Sequence, residues 1–263
     1  GTRTRWEAPV GGIDPVHARY DISDYDLMTI TERGLDVTGL AYPYASDPVM
    51  AEQMTEDMEY LWRFVDNARR NGNGGQGAET ILWAIWPAID GSMGDFRPML
   101  DEYEHRWHYR QELINIWLAD AGETSWPYMH VIPGHRLMMR IYDDIQEGLV
   151  PGLTAMQQLF GDNIHPNHLG AYACACLAYA VIWQQNPQGM AVQSDPPMSN
   201  DLRAYFQSIA WEIASSYARA GLGGTERPVR RDEEHDELQK AESRERHPGN
   251  EAHLMRRGAA EAQ

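Results

Sequence analysis

The stretch Gly161-Asp162-Asn163-Ile164-His165-Pro166-Asn167-His168-Leu169-Gly170 sets a carboxylate three residues before an imidazole, immediately ahead of an apolar run. The proline that follows His165 biases that residue away from helical backbone and toward an extended conformation. Pro166 itself suits the first position of a helix, where its missing N–H costs nothing. His165 is therefore expected on the lip of a helix, at a turn open to solvent. Asp162, one short turn earlier, can accept from the Nδ1–H of that imidazole, fix its tautomer and leave Nε2 as a base. These are two members of a three-part hydrolytic triad. Two other readings fit the same residues. An Asp-x-x-His pair at a helix start also serves as a cap beside a surface histidine. Asp162, His165 and His168 also have a spacing compatible with metal ligation, although His168 falls inside the expected helix and no second cluster of ligands accompanies it.

The elements that must position this pair follow from periodicity. Residues 25–31 (YDLMTIT), 80–86 (TILWAIW) and 128–132 (YMHVI) read as short buried strands, each followed by turn residues. Helical patterns separate them. One opens at Asp47-Pro48, with Met50, Met54, Met58, Leu61, Phe64 and Val65 on its inner face, and stops at the glycines after Asn71. A second runs from about Met99 to Ala121, and its His105 and His108 sit among charged neighbours and are expected to be solvated. Others are expected over 135–145, over 154–160 as a short segment, over 169–183 and over 201–220. Strands alternating with helices argue for an α/β fold of three layers, a parallel sheet covered on both faces. In open sheets of this kind the carboxyl ends of the strands carry the functional loops, so Glu32, Arg33 and Gly34 fall where chemistry is expected. The tyrosines of Ala41-Tyr42-Pro43-Tyr44 either line a pocket or form an aromatic surface loop.

A chain of 263 residues can bury a sizeable core. Its formal charge of −17 argues against nucleic acid and anionic membrane as partners. Lys240 is the sole lysine, and an acidic surface so poor in lysine suits a bacterial protein from a saline setting, as does a biased genome composition. The apolar run Leu169–Trp183 falls short of the ~20 residues that span a bilayer, and is expected to be a core helix. Cys174 and Cys176 lie two apart on that helix, point in different directions and cannot bridge each other. No signal peptide is present as the sequence stands, which suits a cytoplasmic protein; a leader ahead of Gly1 would make it periplasmic or secreted. Residues 225–263 are dense in charge and lack aromatics, and are expected to be a disordered tail on a domain spanning 1–224.

Asp-x-x-His-Pro-Asn-x-x-Gly ahead of a hydrophobic helix resembles the last block of the SGNH (GDSL-type) hydrolases. The likeness extends to the strand after Tyr25-Asp26, to Thr31-Glu32-Arg33-Gly34, to Ile85-Trp86-Pro87 and to Val131-Ile132-Pro133, covering roughly residues 20–187. The resemblance implies a Ser-His-Asp ester hydrolase needing no cofactor or metal, acting on an acyl ester such as an acetylated carbohydrate. His165 would be the general base and Asp162 its orienting partner. The oxyanion and substrate pocket would lie near Gly34, Glu32 and Trp86. It also implies a five-stranded sheet whose first strands carry a Gly-Asp-Ser block. That block does not occur in this sequence, and Trp86 stands at about the place of another family asparagine. Ser23 lies before a strand instead of after one. The expectation is an SGNH-like domain without its first strands, its open sheet edge free to support an oligomer. A non-catalytic binding domain, or a truncated product of the same fold, is the alternative.

Overall fold

The computed structural model describes residues 5–6, 17–32, 48–122, 128–191 and 198–222. Gly34, the loop through Tyr42 and Tyr44, and the tail from Thr225 lie outside the described residues. The chain divides into two units, Gly1–Thr225 and Glu226–Gln263, and everything below concerns the first.

Three strands form one parallel sheet in the order β1 (Leu27–Ile30), β2 (Glu79–Ala84), β3 (His130–Pro133). Met28 pairs with Thr80, and Leu82 with Val131, so β2 is the central strand. The residues of β2 show why it takes that place. Thr80, Leu82 and Ala84 on one face are fully buried, and Ile81 and Trp83 on the other are buried or partly so, which is the pattern of a strand covered on both sides. The architecture is α/β with a parallel sheet, as the alternation of elements predicted. Among the described residues the sheet has three strands, each shorter than its apolar run, because pairing stops where the chain turns into the loops.

Among the described residues five helices surround the sheet: α1 (Pro48–Gly75), α2 (Phe96–Asp120), α3 (Gly134–Gln146), α4 (His168–Trp183) and α5 (Asn200–Ser216). In α1, Met58, Leu61, Phe64 and Val65 are buried as the stripe predicted. Helical backbone gives way at Gly72, and Asn73 and Gly74 turn left-handed with φ of 52° and 62°. Buried polar bridges lock the layers. Arg69 of α1 donates to Thr80 Oγ1 at 2.8 Å and to the Tyr128 carbonyl at 3.1 Å. Gln111 of α2 donates to the Met129 carbonyl at 2.7 Å. Each satisfies a group that would be costly to bury alone.

Helices α2 and α3 run antiparallel, since Glu104 pairs with Arg136 while Arg97 pairs with Asp143. The Trp107 indole donates to the Ile85 carbonyl at 2.8 Å, so the middle of α2 already stands at the carboxyl end of β2. The first turns of α2 and the last turns of α3 therefore rise past that end of the sheet and wall the space above it. In this interior, His108 departs from the solvated position its charged neighbours suggested. Its Nε2 lies 2.7 Å from the Tyr217 hydroxyl and its side chain is 23 % exposed. Tyr217, beyond α5, folds back over α2, a contact that helical spacing alone does not register.

Helix α4 is buried along most of its length, including both cysteines. Burial pushes the Cys174 thiol up to about 12 and the Cys176 thiol up to about 11. Thiolate is the reactive form, so little is available at neutral pH. Labelling of both thiols by an aromatic disulfide reagent is expected to be slow in the folded protein and fast after denaturation. Rapid labelling of native protein would contradict this packing. Among the described residues no helix is long and apolar enough to cross a membrane.

Candidate active site

The loop between Phe160 and Asn167 is closed by backbone bonds. Phe160 bridges Pro166, Gly161 N donates to the His165 carbonyl at 2.8 Å, and Asn167 N donates to the Leu159 carbonyl at 2.9 Å. The helix begins at His168, two residues later than Pro166 suggested. Asn167 is the N-cap, accepting from Leu169 N at 2.9 Å and Gly170 N at 3.4 Å, so Pro166 stands outside the helix. A proline has no side-chain acceptor for the first amides of a helix, whereas Asn has one. His165 is thus held by a closed loop, two residues ahead of the cap.

Within that loop Asp162 accepts three hydrogen bonds. Oδ1 takes the amides of Ile164 at 2.8 Å and His165 at 2.6 Å, and Oδ2 lies 2.7 Å from His165 Nδ1. The two backbone amides and then the imidazole hold its carboxyl down at about 2, so it is ionised at any ordinary pH. With Nδ1 engaged and the side chain 79 % exposed, Nε2 of His165 faces solvent. Asp162 and His165 are therefore brought together in the geometry of a base and its orienting carboxylate.

The loop is also placed against the sheet. Trp86, just beyond β2, is buried with its ring edge-on to Phe160, and its indole N–H donates to the Ile164 carbonyl at 3.2 Å. Ile89 N donates to the Asn163 carbonyl at 2.8 Å, and the Asn163 amide donates to Asp90 Oδ2 at 2.8 Å. These three bonds set the pair over the carboxyl end of the central strand. Two close approaches depend on missing side chains. A Cβ at Gly134 would stand 2.7 Å from the Ala84 carbonyl and against the Trp86 ring. One at Gly170 would stand 2.5 Å from the Leu159 carbonyl. Helix propensity alone would favour Gly170→Ala by ~1 kcal/mol, but overpacking of this kind costs about 1–3 kcal/mol. Gly170→Ala is therefore expected to lower the melting temperature, and a rise on thermal denaturation would refute the contact.

The remaining candidates fall as follows. Glu32 is buried at the end of β1, with 1 % of its surface exposed. Trp86 lies beneath the loop and supports it. Gly34 is outside the described residues. His168 is the first residue of α4 and exposed, and among the described residues no three His, Cys, Asp or Glu side chains are grouped to hold a metal. Ser23 donates to Asp24 at 3.2 Å in the turn before β1, at the opposite end of the strand from the loop. Ser92 is nearer. Its hydroxyl donates to Asp90 Oδ1 at 2.5 Å, and that carboxylate also receives Asn163. The Ser92 hydroxyl, the Asn163 amide and the Ser92 backbone together hold Asp90 down at about 2. The part of Asp90 and Asn163 in fixing the loop was not visible in sequence, because the two residues lie 73 apart. No family model, curated protein or solved structure matches the chain.

Proposed function

We propose that the protein is a serine-type ester hydrolase of SGNH character, acting on an acyl ester such as an acetylated carbohydrate. The observation that carries the reading is the exposed Asp162–His165 pair, with Nδ1 on the carboxylate and Nε2 open to solvent. In this scheme a serine oxygen attacks the ester carbonyl while Nε2 takes its proton. The same proton then passes to the leaving alcohol as the tetrahedral intermediate collapses and the ester C–O bond breaks, leaving the acyl group on the serine. Water repeats the sequence and releases the carboxylic acid. Asp162 keeps the imidazole oriented and stabilises the imidazolium that forms in each half. The resemblance puts the serine on a Gly-Asp-Ser strand, a block that does not occur in this sequence, with Glu32 and Gly34 near the substrate pocket. Both Ser23 and Ser92 have their hydroxyls on neighbouring aspartates, which favours the second reading, a non-catalytic binding domain, if no such strand exists.

The test is hydrolysis of p-nitrophenyl acetate by the 263-residue chain and by the protein extended with its native upstream residues. Each is compared with its His165→Ala variant. The expected result is a weak background from the short form and a gain of several orders of magnitude in the extended form, abolished by His165→Ala. Full activity of the short form that needs both His165 and Ser92 would move the nucleophile to Ser92. Indifference of both forms to His165→Ala would sink the hydrolase and leave the binding domain.

A further inference from the structure

We propose that a recess beside the Asp162–His165 loop is the subsite for a short, uncharged acyl chain; the inference rests on the ester-hydrolase reading. The recess holds about 230 Å³ and is walled by Ile89, Phe96, Tyr142 and Met156, with exposed Gln146 and Gln157 at its rim. Its position follows from the bonds already described. Ile89 donates to the carbonyl of Asn163, the residue between Asp162 and the Ile164-His165 step. Met156 opens the 3-10 turn Met156–Leu159, which runs directly into Phe160 and its bridge to Pro166. Two walls of the recess are therefore the two segments that carry the loop. The other two come from the first turn of α2 and the last turns of α3, where Phe96 and Tyr142 pack with ring centroids 6.0 Å apart. The Arg97–Asp143 pair at 2.8 Å fixes those helix ends together.

Charge and size select the occupant. No lining residue is charged, in a chain whose formal charge is −17. A carboxylate or phosphate placed there would lose hydration and gain no counter-charge. The volume is below the ~300–1,000 Å³ of pockets that bury a whole drug-sized ligand. It thus accepts one arm of a molecule whose remainder lies outside, toward the loop. An ester divides in that way, with its acyl chain in the recess and its carbonyl and alcohol at the base.

The experiment is a titration of the full chain, labelled with 13C at the methionine methyls, with methyl butyrate and separately with sodium butyrate. The Met156 signal is assigned from Met156→Leu. The expected result is a saturable shift of the Met156 methyl and of the His165 Cε1–H signal with methyl butyrate, and none with butyrate. Ala155 also lines the recess, so Ala155→Leu, which narrows it, should weaken the Met156 response, and His165→Ala should leave it unchanged. A silent Met156, an equal response to butyrate, or a Met156 shift without any at His165 would overturn the subsite. If both signals respond while His165→Ala has no effect on ester hydrolysis, the subsite stands and the assignment of the base falls.

Discussion

Asp162→Asn is expected to lower ester hydrolysis by about 10⁴-fold in whichever form of the protein is active, with no loss of fold. The asparagine carbonyl can still take the amides of Ile164 and His165, which Oδ1 of the carboxylate accepts now. Its amide nitrogen replaces Oδ2, and it donates where the carboxylate accepted. Facing that donor, the imidazole must present an unprotonated Nδ1, which puts its proton on Nε2 and removes the base. The comparison is kcat for wild type and variant, with circular dichroism as the control for folding. A loss below about tenfold would mean that Asp162 closes the loop and does nothing for the chemistry. His165→Gln is the natural companion, because two members of one catalytic unit lose activity non-additively.

The second large effect concerns acid. His135 is wholly buried beside Glu104, with Nε2 3.6 Å from Oε2. Burial drives its pKa down, and burial likewise brings His108 to about 3, with Arg219 adding repulsion. Glu104 would rise by burial, but His135 and the Arg136 guanidinium outweigh that and hold it at about 2. Arg136 also lies over the Tyr217 ring, 4.5 Å from its centroid, so the groups facing His135 are Glu104, His108, Arg136 and Tyr217. Because both histidines titrate lower in the fold than their unfolded value of ~6.5, the unfolded chain binds more protons below that pH. Stability contributed by the neutral rings is complete above ~6.5 and is lost as pH falls from there toward their folded pKa values. The melting temperature is therefore expected to fall as pH drops below ~6.5, with burial of His135 contributing to the loss. The measurement is melting temperature from pH 7.5 to 4.5 for wild type and His135→Leu. A flatter profile for the variant is expected, and parallel profiles would show that His135 is not the group that titrates.

How much of this was legible beforehand depends on how local each feature is. The three strands were legible because apolar runs bounded by turn residues leave few alternatives. Asp162 and His165 were legible because three residues of spacing and a proline carry their own geometry. The helix start was misplaced because Pro166 and Asn167 are both good openers, and the choice went to the residue able to accept from Leu169 and Gly170. Residues 154–160 gave a single 3-10 turn in place of a short helix. The Gln158 side chain takes the amides of Thr154 and Ala155, and this closes the segment early. His108 looked solvated on its own helix and is covered by a tyrosine from beyond α5. The support of the loop by Trp86, Ile89 and Asp90 joins residues far apart in sequence, and no window along the chain contains both halves.

The two sets of bonds around the loop also separate in time. Those inside it, from Asp162 to Ile164 and His165, span two or three residues and can form in a fragment as short as a hairpin. Those that place it, from Trp86 to Ile164 and from Asn163 to Asp90, span 78 and 73 residues and must wait until the central strand and α4 are docked. A partly folded chain can therefore own a competent-looking acid–base pair that has no address. Hydrogen exchange distinguishes the two states. Protection at the Ile164 and His165 amides reports the pair, and protection at Ile89, whose amide bonds Asn163, reports its arrival over the sheet.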